Sequence, residues 1–527
     1  MKKTNKLLLI LPAIFLLSAC DKKFKEINTN PQQIRNTNPG YLFSNALLTT
    51  PASGWTTEST IIQQFVLPYN QGVTLGYQFN EDVDGSNNGP FNVYTGSLKY
   101  LEHIIPQLKG DATRANFYNQ VRIWRAYCYM WLVDHYGDVP YSEAGKGALE
   151  GSFFPKYEKD EVIYDDLRKE LKEASDALNA SGDNNARFDI FVAPGTSTAA
   201  EVTYWKRLGY SLLLRLGMRY SKIDANKAKA IVQEAFNGGV MQSNNDNVYI
   251  KYRDASGAAI VGYSNTNASG IRTTSYFYYL AEPFVNTLKA FTDPRLKYIS
   301  ARYTPFQSTV ANVANPDTTT VNQFGFPIGY SDATISTAPG YRPPTGTGQD
   351  YSQVNAIVMA SPLTPQMVIT HAQTQLLLAE AAFKGWLPAG ALTAQQYYEA
   401  GVRASMDSYT LFPGTAPIPL SLQNQYLAIN GVAYNATDAL KLINTQYWIE
   451  CFTNSYEGWC NFRRTGLPAL LPNKWNDNLK VNGVYDFIRR FSYPLRERSA
   501  NPDNYTAAVA SLGGPDKLTT RIFWDSQ

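Results

Sequence analysis

Three glutamates within helix-like segments are the side chains best placed to catalyse a reaction. Glu380 lies in the apolar run LLLAEAAF, and Glu450 and Glu457 lie near the end of another helical segment. Two facing carboxylates at a suitable separation could hydrolyse a glycosidic bond. Acids in such segments are more often hydrogen-bonded partners between packed helices. The sequence therefore predicts no enzyme, with a glycoside hydrolase as the alternative from another functional class.

Metal-binding patterns are absent from the sequence. The three histidines, His103, His135 and His371, are far apart, and the chain has no H-x-H, H-E-x-x-H or C-x-x-C motif. We expect no zinc or iron site and no cofactor. Residues 80–86 carry oxygen ligands suited to calcium but lack the twelve-residue spacing that ends in Glu. We interpret this stretch as a solvated acidic loop, and calcium binding stays open without a specific motif.

Aromatic rings interleaved with amides and acids favour a binding function. Phe, Trp and Tyr make up 13% of the chain, which is a high share beside 17% charged residues. A sugar presents flat C–H faces rimmed by hydroxyls, which rings beside Asn, Asp and Gln complement. Peptides can use the same surface, and each ring could instead pack a loop onto a helix. The candidate ligand-binding residues are Tyr77, Phe79, Phe91, Tyr94, Tyr276, Tyr330 and Tyr341.

The first twenty residues predict export and a lipid anchor. Lysines at the start precede an apolar run, Leu7 to Leu17, and small residues close it, as in a secretory signal too short to span a membrane. The closing Leu-Ser-Ala-Cys resembles the lipobox of bacterial lipoproteins. That resemblance implies that residues 1–19 are a signal peptide and that acylated Cys20 holds the protein to a membrane. Residues 20–38 then form the lipidated cysteine and a polar tether.

The net charge argues against a nucleic-acid-binding protein, and the cysteine positions argue against a disulfide-stabilised one. The 47 basic residues lose three lysines with residues 1–19, which leaves 44 basic and 44 acidic side chains. A mature chain of zero net charge argues against nucleic-acid binding. Cys451 and Cys460 would lie about 13 Å apart along one helix, too far to bridge. Cys128 falls on an apolar helix face, so we expect no structural disulfide.

Helical periodicity dominates residues 39–527, which we interpret as one domain. Apolar positions recur at steps of three and four from Phe117 and again from Ile163. The stretch of about 240–360 lacks that period and is rich in Asn, Thr, Ser, Gly and Pro, so we expect an irregular layer there. Adjacent helix pairs of this size suit a helical-repeat superhelix. The predicted pairs are 115–136 with 160–180, 201–221 with 225–237, and 365–384 with 393–408, and further helices are predicted at 41–50, 58–70, 93–109, 277–291 and 436–457.

Eight segments together resemble the SusD/RagB family of nutrient-binding outer-membrane lipoproteins. Their order and spacing along nearly the whole mature chain make the resemblance specific, although each alone is weak. The segments are INTNP (27–31), AYCYMWLVDHYGDVPYSEA (126–144), FPKYEKDEVIYDDL (154–167), LLLAEAAFKGW (376–386), YEAGVRASMDSY (398–409), YWIECFTNSYEGWCNFRRTGLPAL (447–470), RRFSYPLRERSANPDNY (489–505) and TTRIFWD (519–525).

The resemblance implies a mainly α fold, an α-superhelix of tetratricopeptide-like helix pairs whose irregular loops form a shallow ligand-binding layer. It implies no catalytic residues, an oligosaccharide or oligopeptide ligand, and a TonB-dependent transporter of the SusC type as partner. It also implies an outer-membrane location facing the cell exterior. Many members carry an acidic cluster after the lipidated cysteine, whereas residues 21–26 here are of mixed charge. A structural helical-repeat adaptor without a soluble ligand is a third alternative.

Overall fold

The computed structural model describes residues 37–52, 55, 57–68, 84–253, 264–273, 278–304, 316–346, 348–472 and 479–526. Cys20, Tyr77, Phe79 and Tyr276 lie outside these residues. The described chain is mainly helical, as predicted. Its helices are α1 (Pro39–Leu48), α2 (Glu58–Ile61), α3 (Asp84–Phe91), α4 (Ser97–Leu108), α5 (Ala115–Tyr136), α6 (Gly147–Glu150), α7 (Asp160–Ala177), α8 (Thr198–Arg219), α9 (Ala225–Gly238), α10 (Thr266–Thr273), α11 (Glu282–Ala290), α12 (Leu296–Ile299), α13 (His371–Phe383), α14 (Ala394–Ser408), α15 (Leu420–Leu427), α16 (Ala439–Glu450), α17 (Ser455–Thr465), α18 (Leu495–Ala500) and α19 (Pro502–Ser511).

The strands are short and form antiparallel pairs. In the described residues β1 pairs with β5, β2 with β3, β4 with β8, β6 with β7, and β9 with β10. Half of these strands lie between residues 248 and 369, inside or beside the layer predicted to be irregular. The strands are β1 (Phe65–Val66), β2 (Val139–Pro140), β3 (Tyr157–Glu158), β4 (Val248–Ile250), β5 (Tyr279–Leu280), β6 (Ser300–Ala301), β7 (Gln353–Val354), β8 (Gln366–Ile369), β9 (Lys480–Val481) and β10 (Val484–Tyr485).

The predicted helix pairs are confirmed as packed neighbours. Helix α5 contacts α7, α8 contacts α9, and α13 contacts α14. Helix α8 also contacts α7 and α13, so the pairs form a continuous array around one large apolar core. Helix α5 ends at Tyr136 where predicted, because Gly137 takes a φ of 79° that favours glycine.

Two predicted helices are wrong in part because tertiary contacts interrupt them. The helix predicted over 58–70 ends at Ile61, and the chain turns at Gln63 (φ 56°) into β1, which pairs with β5. The helix predicted over 436–457 breaks after Glu450. There Asn454 donates its side-chain amide to the Val368 carbonyl at 2.7 Å, and α17 then starts anew.

The sequence pattern predicts an irregular C-terminal region from residue 468, but in the structure this region contains two helices. Pro494 immediately precedes α18, and Pro502 is the first residue of α19. Proline is well tolerated in the first turn of a helix because the N–H it lacks would have no partner there. Pro494 and Pro502 therefore mark the starts of two helices.

A buried ionic network joins the helices at the centre of the array. Arg219 of α8 donates to both carboxylate oxygens of Glu457 of α17, at 3.1 and 2.7 Å, and to Asp134 of α5 at 3.4 Å. All three side chains are fully buried. Burial alone would raise the carboxyl pKa values, but Arg219 and its neighbour Arg215 lower that of Glu457, and Arg219 with Arg463 lowers that of Asp134. Both carboxylates are therefore charged partners of the arginines.

Removal of Arg219 should destabilise the fold strongly. We expect Arg219→Met to lower the free energy of unfolding by about 3–5 kcal/mol, because it leaves buried carboxylates short of a cation. Lys172→Met, which removes an exposed Lys172–Asp176 pair on α7, should cost about 0.5 kcal/mol or less. Urea unfolding of both variants measures the difference. Equal effects would show that the network is not a structural requirement.

Candidate ligand-binding face

A second, small apolar cluster outside the main core carries half-buried aromatic rings. Its buried members are Val66, Tyr279, Ala281, Phe326, Ile335, Ala338 and Tyr351. Four partly buried side chains pack against it, and we call them the rim: Phe324, Ile328, Tyr330 and Tyr341. The rim brings two of the predicted ligand-binding residues, Tyr330 and Tyr341, to one place.

The cluster is held by backbone pairing between segments distant in sequence. Val66 of β1 lies opposite Tyr279 of β5. The next chain segments continue this ribbon: Phe326 donates its N–H to the Leu280 carbonyl at 2.8 Å, and Ser352 donates to the Phe324 carbonyl at 2.7 Å. Residues 324–326 and 352 thus become strand-like although no sustained strand pattern marks them.

Local turns fix the two tyrosines of the rim. Tyr341 donates its N–H to the Ala338 carbonyl at 3.1 Å, after a 3₁₀ turn at Ile335–Thr337. Tyr330 precedes Ser331, whose N–H donates to the Thr334 hydroxyl at 2.9 Å. Each ring keeps part of its surface exposed, so each can present a face to a ligand.

The segments with the other predicted rings join the described chain at this cluster. Asp332 donates its N–H to the carbonyl of Pro68, the last described residue before 69–83, which carries Tyr77 and Phe79. Tyr276 lies in 274–277, directly before Tyr278 and β5. Because β1 and β5 are antiparallel, the chain leaves β1 and enters β5 at the same end of the ribbon. Tyr77, Phe79 and Tyr276 themselves lie outside the described residues.

Cations surround the ring of Phe324. The Arg342 guanidinium lies 3.8 Å from the ring centroid and the Lys289 ammonium 4.5 Å from it. Arg302 and Arg342 both donate to the carboxylate of Asp350. Burial and the charge of Arg342 lower the pKa of Lys289. The cations pack around Phe324, and Tyr330 and Tyr341 are the other two aromatic side chains of the rim.

Phe91 and Tyr94 belong to the packed helical body and not to this face. Phe91 is 4% exposed, with its ring 5.3 Å from that of Tyr136 and the Arg496 guanidinium 5.4 Å from its centroid. The Tyr94 hydroxyl donates to the Pro140 carbonyl, and burial raises its pKa. Phe91 is buried, whereas Tyr94 is partly buried and packs against the main apolar core. Alternation of rings with amides did not distinguish these two positions from exposed ones.

The glutamates considered for catalysis are structural partners. Arg464 donates to both carboxylate oxygens of Glu380 at 2.7 Å each, and Glu457 holds Arg219 as described. Glu450 accepts a hydrogen bond from the Thr370 hydroxyl at 2.7 Å. The interpretation of Glu380 and Glu457 as hydrogen-bonded partners between packed helices is confirmed.

The cysteines in the described chain are buried, and its potential metal ligands do not cluster. Cys128, Cys451 and Cys460 are buried free thiols, and burial raises the pKa of each. Among the residues described, no group of three or more His, Cys, Asp or Glu side chains could hold a metal ion. The stretch 80–86 is not wholly a loop, because α3 begins at Asp84.

Sequence reasoning missed Phe324 and the cations around it. The segment NQFGF (322–326) has the same alternation of rings and amides that selected 76–94, so that signal was available. Lys289, Arg302 and Arg342 could not be grouped, because they come from one helix and two separate loops.

No helix within the described residues is both long and apolar enough to cross a membrane.

Known proteins match this architecture over almost its full length. The SusD-like family model described as starch-binding and associating with the outer membrane matches residues 31–494. A solved chitin-binding protein is 26% identical, with a TM-score of 0.75, and the match covers 93% of this chain and all of that one. A SusD-like protein described as Bacteroidetes AC2a is 24% identical, with a TM-score of 0.79 over 93% of this chain and all of its own.

A chitin-binding SusD homologue from Flavobacterium johnsoniae shares the fold at 22% identity and a TM-score of 0.72, over 92% of this chain and 97% of its own. No curated protein matches the sequence. The family model covers far more than half of the chain, and the helical array agrees with the solved folds. This chain therefore belongs to the SusD-like family of outer-membrane-associated binding proteins.

Proposed function

We propose that this protein is a non-enzymatic outer-membrane lipoprotein that binds oligosaccharide at the rim and passes it to a SusC-like TonB-dependent transporter. The observation that carries the proposal is the family match over residues 31–494, with its starch-binding description. The rim adds half-exposed tyrosines, the side chains that sugar faces stack against.

Glycan is favoured over peptide by the relatives. The 26% identical chitin-binding protein and the chitin-binding homologue from Flavobacterium johnsoniae both carry carbohydrate in their descriptions. We expect the affinity at the rim to be weak to moderate, because a shallow face covers only one side of a flexible chain and must order it. An oligopeptide ligand is the alternative outcome of the binding experiment below.

The anchor is proposed from Cys20, which closes the apolar N-terminal run. Acylation at this residue would place the binding face beside the membrane that holds the transporter. The tether of residues 20–38 could extend roughly 60 Å at about 3.3 Å per residue, enough for the body to move relative to the membrane. Surface exposure is proposed on the family's outer-membrane association.

Loss of the acylated thiol should release the protein from the membrane. We expect Cys20→Ala to leave a soluble protein in the periplasm, because acyl chains supply the membrane affinity. Fractionation of cells that express wild type and variant measures this. Gln32→Ser, a substitution elsewhere in the tether, serves as the control variant that should stay anchored. A variant still found wholly in the membrane would refute lipidation at Cys20.

Loss of a stacking ring should weaken glycan binding. We expect Tyr330→Ala and Tyr341→Ala each to cost about 1–3 kcal/mol in binding free energy where the ring stacks on sugar. Tyr→Phe at the same positions should retain most of the affinity, because the ring face remains. Isothermal titration calorimetry with chitin oligosaccharide, starch oligosaccharide and an oligopeptide mixture measures the affinities and chooses the ligand class.

Tyr41→Ala is the matched control, since Tyr41 is 66% exposed on α1 and packs edge-on against Phe188. Thermal melting of each variant separates lost binding from lost folding. Unchanged affinity in both rim variants would place the ligand elsewhere on the protein. Release of reducing ends from the oligosaccharides would contradict a non-enzymatic role.

A further inference from the structure

A cleft of about 630 Å³ lies at the start of α8, and none of its residues belongs to the small cluster or the rim. Three elements line it: the loop before α8, the first turns of α8, and a 3₁₀ turn at Asn244–Asp246. The lining residues that matter here are Phe191, Ala200, Thr203, Tyr204, Arg207 and Asp246. The volume falls in the range of small-molecule sites, about 300–1,000 Å³.

The floor of the cleft is apolar and held in place. The half-buried ring of Phe191 lies 4.9 Å from that of Trp124, and Tyr204 is 8% exposed. Asp189 accepts the N–H of Phe191 at 2.8 Å and the indole N–H of Trp205 at 2.7 Å. Because these bonds tie the loop to α8, the aromatic floor is formed before any ligand arrives.

One end of the cleft is polar but carries no net charge. Arg207 donates through Nη1 to both oxygens of Asp246, at 3.0 and 3.2 Å. Asp246 also accepts the N–H groups of Gln242 and Ser243, at 2.8 and 3.1 Å. The Arg207 side chain is 34% exposed, and within the described chain its Nε and Nη2 have no hydrogen-bond partner. Asn245, which is exposed, also lines the cleft.

The lining selects among ligand classes. The charges of Arg207 and Asp246 cancel, so a charged ligand gains no net electrostatic attraction. No strand edge lines the cleft, so an extended peptide cannot add to a sheet there. An apolar ring face with free donors and an amide at its end suits a neutral sugar.

We propose that this cleft is a second glycan-binding site, separate from the rim. The choice of glycan rests on the proposed function, whereas the existence of the site rests on the cleft itself. Two sites on one chain would hold a long polysaccharide more tightly than a short oligosaccharide, because the second contact is intramolecular.

Thr203→Trp tests the cleft by filling it. Thr203 is exposed, and its hydroxyl donates only to the Ala199 carbonyl four residues earlier, at 2.8 Å. Thr506→Trp on α19 is a matched control, since that exposed hydroxyl donates at 2.8 Å to the Pro502 carbonyl, also four residues earlier. Calorimetry of wild type, both tryptophan variants and Tyr330→Ala/Tyr341→Ala uses chitin hexamer, starch oligosaccharide and their soluble polymers.

We expect Thr203→Trp to remove one binding event for the oligosaccharide and to weaken polymer binding at least tenfold, with Thr506→Trp unchanged. Hydrogen exchange of the wild-type protein should show ligand protection in 190–204, independent of any substitution. Unchanged stoichiometry together with no protection in 190–204 would overturn the second site.

The two proposals fail in different ways. If the rim double variant binds as wild type while Thr203→Trp binds nothing, the cleft stands and the rim assignment fails. If the rim variant alone abolishes binding, the rim stands and the cleft fails. If the protein binds oligopeptide and neither glycan, the glycan assignment of both sites is overturned.

Discussion

The buried contact of Arg219 with Glu457 and Asp134 is the constraint on which the helical array depends. It joins α5, α8 and α17, which are separated by up to about 320 residues in sequence. The Tyr456 hydroxyl and the Trp524 indole N–H also donate to the Asp134 carboxylate, at 2.7 and 3.0 Å. The C-terminal segment is therefore tied to the same point. A buried arginine requires its carboxylates, and they in turn require their hydroxyl and indole donors. The network therefore ties these three helices and the C-terminal segment together.

A second pair extends the same constraint to the next helices. Arg464, adjacent to Arg463 on α17, holds Glu380 of α13, and Arg215 of α8 donates to Gln373 of α13 at 2.8 Å. With α8 and α13 fixed, the loops between residues 240 and 370 have a rigid base. The small cluster forms where β1, from the N-terminal part, pairs with β5.

The proposed separation of structural carboxylates from ligand-binding rings follows from this arrangement. Ionisable groups with strongly shifted pKa values often mark catalytic sites. Here Glu380 and Glu457 have lowered pKa values, but each is buried against arginine inside the helix array. Their shifts therefore reflect assembly of the fold. The rings proposed to bind a ligand lie on loops at the surface, where variation in sequence leaves the array intact.

Particular residues show how far pattern alone could go. The periodicity from Phe117 and Ile163 predicted α5, α7 and their contact, because a stripe on one helix face needs a partner. It failed at Gln63 and Asn454, where a strand pairing and a side-chain bond to Val368 outweigh local helical preference. Among the predicted rings, Tyr330 and Tyr341 share the rim, whereas Phe91 and Tyr94 pack beside α5. Phe91 and Tyr94 stand in the amide-rich segment 76–94, whereas Tyr330 and Tyr341 have no Asn or Gln within two residues, so alternation with amides did not predict burial.

The sequence by itself determined the helical class, the pairing of neighbouring helices and the resemblance that led to the family, because these depend on local periodicity and on ordered motifs. Only the tertiary structure decided which rings are exposed, which carboxylates are neutralised by arginine, and that Phe191, Arg207 and Asp246 border one cleft. Those properties arise from contacts between residues distant in the chain. No local pattern encodes the distance between them.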